Sequence, residues 1–165
     1  MNKLKNLDSV LKKILSKYPK RSYTYELGVI DETNERDEGS KEVKKKPQTN
    51  AEILYLMCMG SNLGKVKIPS RDVLKYTADD WKFELRDEMI SDLLNKVNNE
   101  EWSVRDLDLY MNQYAYIIQE HCRNLITNKD KRIAPNSPYT IEKKGSDTPL
   151  IDTGELIEAI ICRLK

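Results

Sequence analysis

The sequence predicts an α+β fold: two long antiparallel amphipathic helices packed with a small, mainly antiparallel sheet, followed by an extended C-terminal arm. Three observations predict it. Apolar residues recur at intervals of three and four over two successive long stretches; one early stretch alternates residue by residue; and the chain ends in a proline-rich, irregular segment before a short apolar run. At 165 residues the chain is expected to form one domain over 1–165, with an N-terminal helix at 1–20, a flexible loop at 31–48 and the arm at 129–152. Lys and Arg number 28 against 27 Asp and Glu, so bulk charge points to no strongly acidic partner.

Taken in order, Leu4, Leu7, Leu11, Ile14 and Tyr18 form one helical stripe, with Lys5, Lys12, Lys13 and Lys17 largely off it and Pro19 ending it. Tyr23, Tyr25, Leu27 and Val29 alternate with Thr24, Glu26 and Gly28, the pattern of a half-buried strand. Asp31 to Lys46 has one hydrophobic residue, Val43, and cannot offset its ordering entropy by burial. Thr49 or Asn50 caps a helix carrying Ala51, Ile53, Leu54, Leu56 and Met57, apolar nearly all round and therefore expected to be buried or pressed on a neighbour. Gly60 and Gly64 bracket its exit, and Pro69 restricts the chain before the next helix.

That next helix runs from about Asp72 to Val97 on Leu74, Trp81, Leu85, Met89, Leu93 and Val97, with Phe83, Ile90 and Leu94 widening the face. Ser103 and Asp106 form a capping-box-like start for a second long helix through Val104, Leu107, Met111, Tyr114, Ile118, Cys122 and Leu125. Beyond Asn128 the chain turns basic and irregular. Tyr139 to Ile141 is read as a short extended piece and Lys143-Lys144-Gly145 as a turn. Asp152 is read as the N-cap of a short helix with Glu155 at its third position, and Ile161 to Leu164 as a closing strand.

Little in the chain speaks for catalysis. Cys58, Cys122 and Cys162 are far apart and in apolar company, which argues against a disulfide scaffold and for buried small hydrophobes in a reducing compartment. His121 neighbours Cys122, but adjacent helical residues diverge by about 100° and do not chelate one ion, so a packing role is expected and no metal. The enzymatic alternative is a Mg²⁺-dependent nuclease built from Asp130, Glu142 and Lys144, though Pro135 and Pro138 interrupt the sheet such a site requires. A regulatory DNA-binding module is a third possibility, and the basic stretches at Lys12–Arg21 and Lys129–Arg132 can meet phosphates without reading bases. The N-terminus has no apolar signal-peptide core, and no run approaches the roughly 20 apolar residues of a membrane span.

One segment is more specific than any of these. Pro135 to Ile160, PNSPYTIEKKGSDTPLIDTGELIEAI, resembles the C-terminal signature of the phage virion morphogenesis family, the neck or tail-completion proteins of tailed bacteriophages. Pro135, Ser137, Thr140, Lys144, Gly145, Ser146, Pro149, Leu150, Asp152, Thr153, Gly154 and Leu156 match that signature in order. Further upstream Gly28-Val29, Met59-Gly60 and Ile68-Pro69-Ser70-Arg71 follow the family's order, with Met59 in place of an aromatic residue and Asp72-Val73 in place of proline and phenylalanine.

The resemblance implies a structural virion protein without catalysis or cofactor, made in the bacterial cytoplasm and assembled into the neck. It implies a ring of six or twelve copies, touching head-side connector or portal-adaptor proteins on one side and tail terminator or tail-tube proteins on the other. Non-specific contact with channel DNA is compatible with it, and no membrane is involved. Under this reading Gly60, Pro69 and Arg71, together with Pro135, Ser137, Thr140, Lys144, Gly145, Pro149, Leu150, Asp152, Thr153 and Gly154, form the interface motif. Arg71 is expected to pair with a carboxylate within or between subunits, and Asp152, Thr153 and Gly154 to cap the last helix and aim the arm.

Overall fold

The computed structural model describes residues 22–30, 49–62, 67–99 and 102–165, together with Lys12 and Ser16, which are helical and exposed. The stripe from Leu4 to Tyr18, the segment 31–48 and Gly64 lie outside the described residues. The described chain is α+β, as the periodicities predict. Strand β1 (Tyr25–Val29) precedes helix α1 (Asn50–Met59), helix α2 (Val73–Asp80), a π-helical turn (Trp81–Leu85) and helix α3 (Arg86–Asn99). Helices α4 (Val104–Thr127), α5 (Pro138–Lys144) and α6 (Glu155–Ala159) and strand β2 (Ile160–Leu164) complete it.

The two strands pair antiparallel, Tyr25 opposite Leu164 and Val29 opposite Ile160, with Arg163 Nε 3.0 Å from the carboxylate of Glu26 across the ladder. The alternating face bridges two apolar clusters. Leu27, Val29 and Ile160 meet Leu54, Val73, Cys122 and Ile126, while Tyr23, Tyr25 and Leu164 meet Met89, Leu107, Tyr110 and Met111. The free edge of β2 is served by side chains of α4: Gln119 Oε1 accepts from Cys162 N (3.0 Å), and Arg123 Nη2 donates to Ile160 O as well as to Glu158 O at the end of α6. These bonds satisfy backbone groups that a two-stranded sheet leaves open.

Helices α2, π turn and α3 run without a break over the stretch read as one helix, antiparallel to α4. Thr77 and Cys122 are buried near one end of the pair, while the Tyr110 hydroxyl reaches Met89 O (3.2 Å) and Asp92 Oδ2 (2.7 Å) near the other. The π turn is not legible in the periodicity. The Arg86 N–H reaches back to Trp81 O, so one extra residue enters the turn and the stripe shifts. Phe83 and Ile90, expected to widen the buried face, are instead exposed, Phe83 by 69%. The expected capping box of Ser103 with Asp106 forms; of the two cap candidates for α1 it is Thr49 that caps, and it adds a capping box with Glu52 beyond the expected cap.

Three expectations for the C-terminal segment are corrected. Lys143 and Lys144 form the last turn of α5 rather than a turn with Gly145. Tyr139 to Ile141 is helical rather than extended: Ser137 caps α5 by accepting from Thr140 N (3.2 Å), Pro138 fills the first turn, and Gly145 ends the helix in the left-handed region at φ 69°. Asp152 does not cap α6. Gly154 holds the N-cap position, Glu155 is the first helical residue rather than the third, and Asp152 is exposed. Asp152→Ala is therefore expected to change stability by less than about 0.5 kcal/mol, whereas Ser137→Ala costs about 1 kcal/mol, both read by urea denaturation.

Candidate interaction groove

The Ile68–Arg71 stretch lies against the end of α1. Arg71 N bonds Met57 O (2.8 Å), Ser70 Oγ donates to Cys58 O (2.5 Å), and Ser61 and Ile68 form a two-way backbone bridge at 2.8 Å. Gly60 makes this approach possible. It sits at φ 69°, ψ 177°, and a Cβ there would lie 2.8 Å from both Ile68 O and Ser70 N. The arm then docks on this stretch through Arg71, which is 7% exposed. Its Nε donates to Ala134 O (2.7 Å), and its Nη2 to Pro135 O (2.8 Å) and Asn136 Oδ1 (3.4 Å). Arg71 thus binds main-chain and amide oxygens 63 to 65 residues away. Among the described residues no carboxylate of the same chain pairs with it, so of the two expected settings only a pairing between subunits stays open.

Asn136, itself buried, continues the chain of bonds by donating to Thr148 O (3.1 Å). That bond seats the turn carrying Pro149 and Leu150. Leu150 adopts φ 62°, a conformation costing an L-residue roughly 1–2 kcal/mol, and its burial in the first cluster offsets about that much.

The result is a groove of about 700 Å³ between α1, the Ile68–Arg71 stretch, α5 and the start of α6. Nine of the thirteen interface-motif residues line it: Pro69, Arg71, Pro135, Ser137, Thr140, Lys144, Leu150, Asp152 and Gly154. Gly60 holds one wall in place, Gly145 ends α5, Pro149 is buried beside Leu150, and Thr153 is exposed on the surface. Sequence reasoning missed Asn136, whose role depends on partners in other elements. It also missed Tyr139, 73% exposed on the groove lining.

A second polar cluster clamps the root of the arm. The Arg132 guanidinium holds Asp80 with two bonds (2.6 and 2.8 Å) and Asp130 with two more (2.8 and 3.1 Å), and lies 5.2 Å from the Tyr76 ring centre. His121 Nε2 is 2.9 Å from Asp80 Oδ2. The bonds from Arg132 lead in holding the Asp80 carboxyl down to about 2, and they depress Asp130 too. A carboxyl lowered on folding stabilises above its unfolded value near 4 and loses that contribution as pH falls toward 2. Between about pH 5 and pH 2 the wild type is expected to lose about 2 kcal/mol more stability than Asp80→Asn, measured by urea denaturation across that range.

The residues of the nuclease alternative are not brought together as such a site requires. Asp130 is held by Arg132, and Glu142 and Lys144 stand two apart on the helix α5, hence on different faces. Among the described residues no group of three or more Asp, Glu, His or Cys could hold a metal ion. Cys58, Cys122 and Cys162 are free, and burial pushes their thiols up, Cys58 to about 12 and Cys162 to about 11, which keeps them protonated and weakly nucleophilic near neutrality. No helix among the described residues is long and apolar enough to cross a membrane. Compared with known proteins, the chain matches no family model, no curated protein and no solved structure.

Proposed function

We propose that this protein is a structural subunit of a bacteriophage neck, with the groove as a docking face in the join between head and tail. The observation that carries the reading is the convergence of the motif: nine residues from two stretches more than sixty positions apart line one groove. Metal-assisted chemistry does not explain such a convergence, because no group of three or more Asp, Glu, His or Cys among the described residues could hold an ion there. Docking does, since a groove with an apolar lining and a few fixed polar groups suits recognition.

In this reading six or twelve copies close into a ring through head-to-tail contacts, one patch of each copy meeting a different patch of the next. Head-side connector or portal-adaptor proteins and tail terminator or tail-tube proteins flank the ring, channel DNA is contacted only through phosphates, and the role is structural rather than catalytic. Helix α1 fits this arrangement. Its inner residue Leu54 is buried, yet Tyr55 and Met59 are 65% and 64% exposed on its outer side.

Electron microscopy of particles produced without this protein tests the reading. Filled heads and separate tails are expected; intact tailed particles would refute it.

A further inference from the structure

The groove wall carries a buried guanidinium with no carboxylate beside it among the described residues. Arg71 Nε and Nη2 are taken by oxygens of 134–136, while Nη1 meets only the Met57 sulfur at 3.9 Å. A thioether is a weak acceptor, so this end of the cation is poorly compensated. Lys67, at an exposed position, adds a second cation to the lining. Ile53, Met57, Ile68 and Leu156 make much of the remaining surface apolar.

From this charge pattern we infer that the groove receives an acidic peptide segment of a partner protein, one carboxylate of which bonds Arg71 Nη1 while its apolar neighbours cover Ile53, Ile68 and Leu156. The inference rests on the docking role proposed above and names the chemistry of what docks. A guanidinium recognises a planar carboxylate through paired donors, and an apolar setting strengthens that bond. A nucleic-acid strand is the poorer fit: its repeated phosphates call for an exposed basic face, whereas this donor is sunk among apolar walls.

The test uses two peptide libraries of about ten residues, alike except for a fixed central glutamate in one and glutamine in the other. Both are panned against the immobilised full chain, and the best glutamate peptide is labelled with fluorescein and titrated by anisotropy. A charge-assisted bond at a buried donor predicts at least about tenfold more binders from the glutamate library. Lys67→Glu, at an exposed position, is expected to weaken the labelled peptide about threefold or more with an unchanged melting temperature. Arg71→Lys, if it melts cooperatively, is expected to abolish the preference for glutamate over glutamine.

Equal yields from the two libraries would overturn the inference. So would an affinity unchanged by Lys67→Glu, or displacement of the peptide by single-stranded DNA at matched charge. If the libraries tie while particles lacking the protein still fail to join, the inference falls and the neck reading stands. If such particles join normally, the neck reading falls whatever the peptides do.

Discussion

Replacing Arg71 with alanine is expected to lower the stability of the fold by about 3 kcal/mol and its melting temperature on the order of 10 °C. The mechanism is specific. Truncation removes the donor shared by Ala134 O, Pro135 O and Asn136 Oδ1, so the arm loses its fastening and the amide oxygen of the buried Asn136 is left unpaired. Because Asn136 also holds Thr148 O, the loss spreads to the turn that buries Leu150. Arg71→Lys is expected to recover less than half, because one ammonium group cannot span the positions of Nε and Nη2. Thermal and urea denaturation of both variants check the ordering. Amide exchange should rise first over 134–150 if Arg71 is what fastens the arm.

Gly60→Ala is the second large effect, expected to cost about 3 kcal/mol. At φ 69°, ψ 177° the backbone is in a region that glycine alone occupies readily, and the added methyl would press into the Ile68 carbonyl and the Ser70 amide. Neither is a side-chain tip that can swing away. The Ser61–Ile68 bridge must open or α1 must shift. Gly145→Ala provides the control: its φ is also 69°, but nothing lies within 4 Å of the new Cβ, so only the left-handed conformation is penalised, at about 1 kcal/mol. Urea denaturation of the pair separates crowding from conformational preference, and a Gly60→Ala cost no larger than that of Gly145→Ala would remove the crowding argument.

What could be read from the chain divides along the range of the forces involved. Local patterns were legible: the alternation at Tyr25–Val29, the caps at Thr49 and Ser103, and the stripe of α4, whose Leu107, Met111, Ile118, Cys122 and Leu125 are all buried. Helix α5 also had a local signal, since Ser137 as N-cap, Pro138 in the first turn and Gly145 beyond the end bracket it, but its seven residues carry no apolar stripe to reinforce those signs. The π turn left no trace, because inserting one residue shifts a stripe without abolishing it.

For the groove, the motif residues could be listed from the family resemblance, but what they bond could not. Arg71 looked like half of an ion pair because sequence gives its charge and not its distant carbonyl acceptors. Asp152 looked like a cap because aspartate is a good one, yet the chain enters α6 through Gly154 two residues later. The Asp80–Arg132–Asp130 cluster, with His121 beside it, joins three parts of the chain and has no local signature at all.

The central claim is that this groove joins the protein to its neighbours in the particle. It is tested most directly by complementing a null allele with Lys67→Glu/Tyr139→Arg, two changes at exposed positions on the groove lining, and counting particles by electron microscopy. The account predicts a variant that melts like the wild type yet leaves heads and tails largely unjoined. Normal numbers of joined particles, made with a variant of unchanged stability, would contradict it.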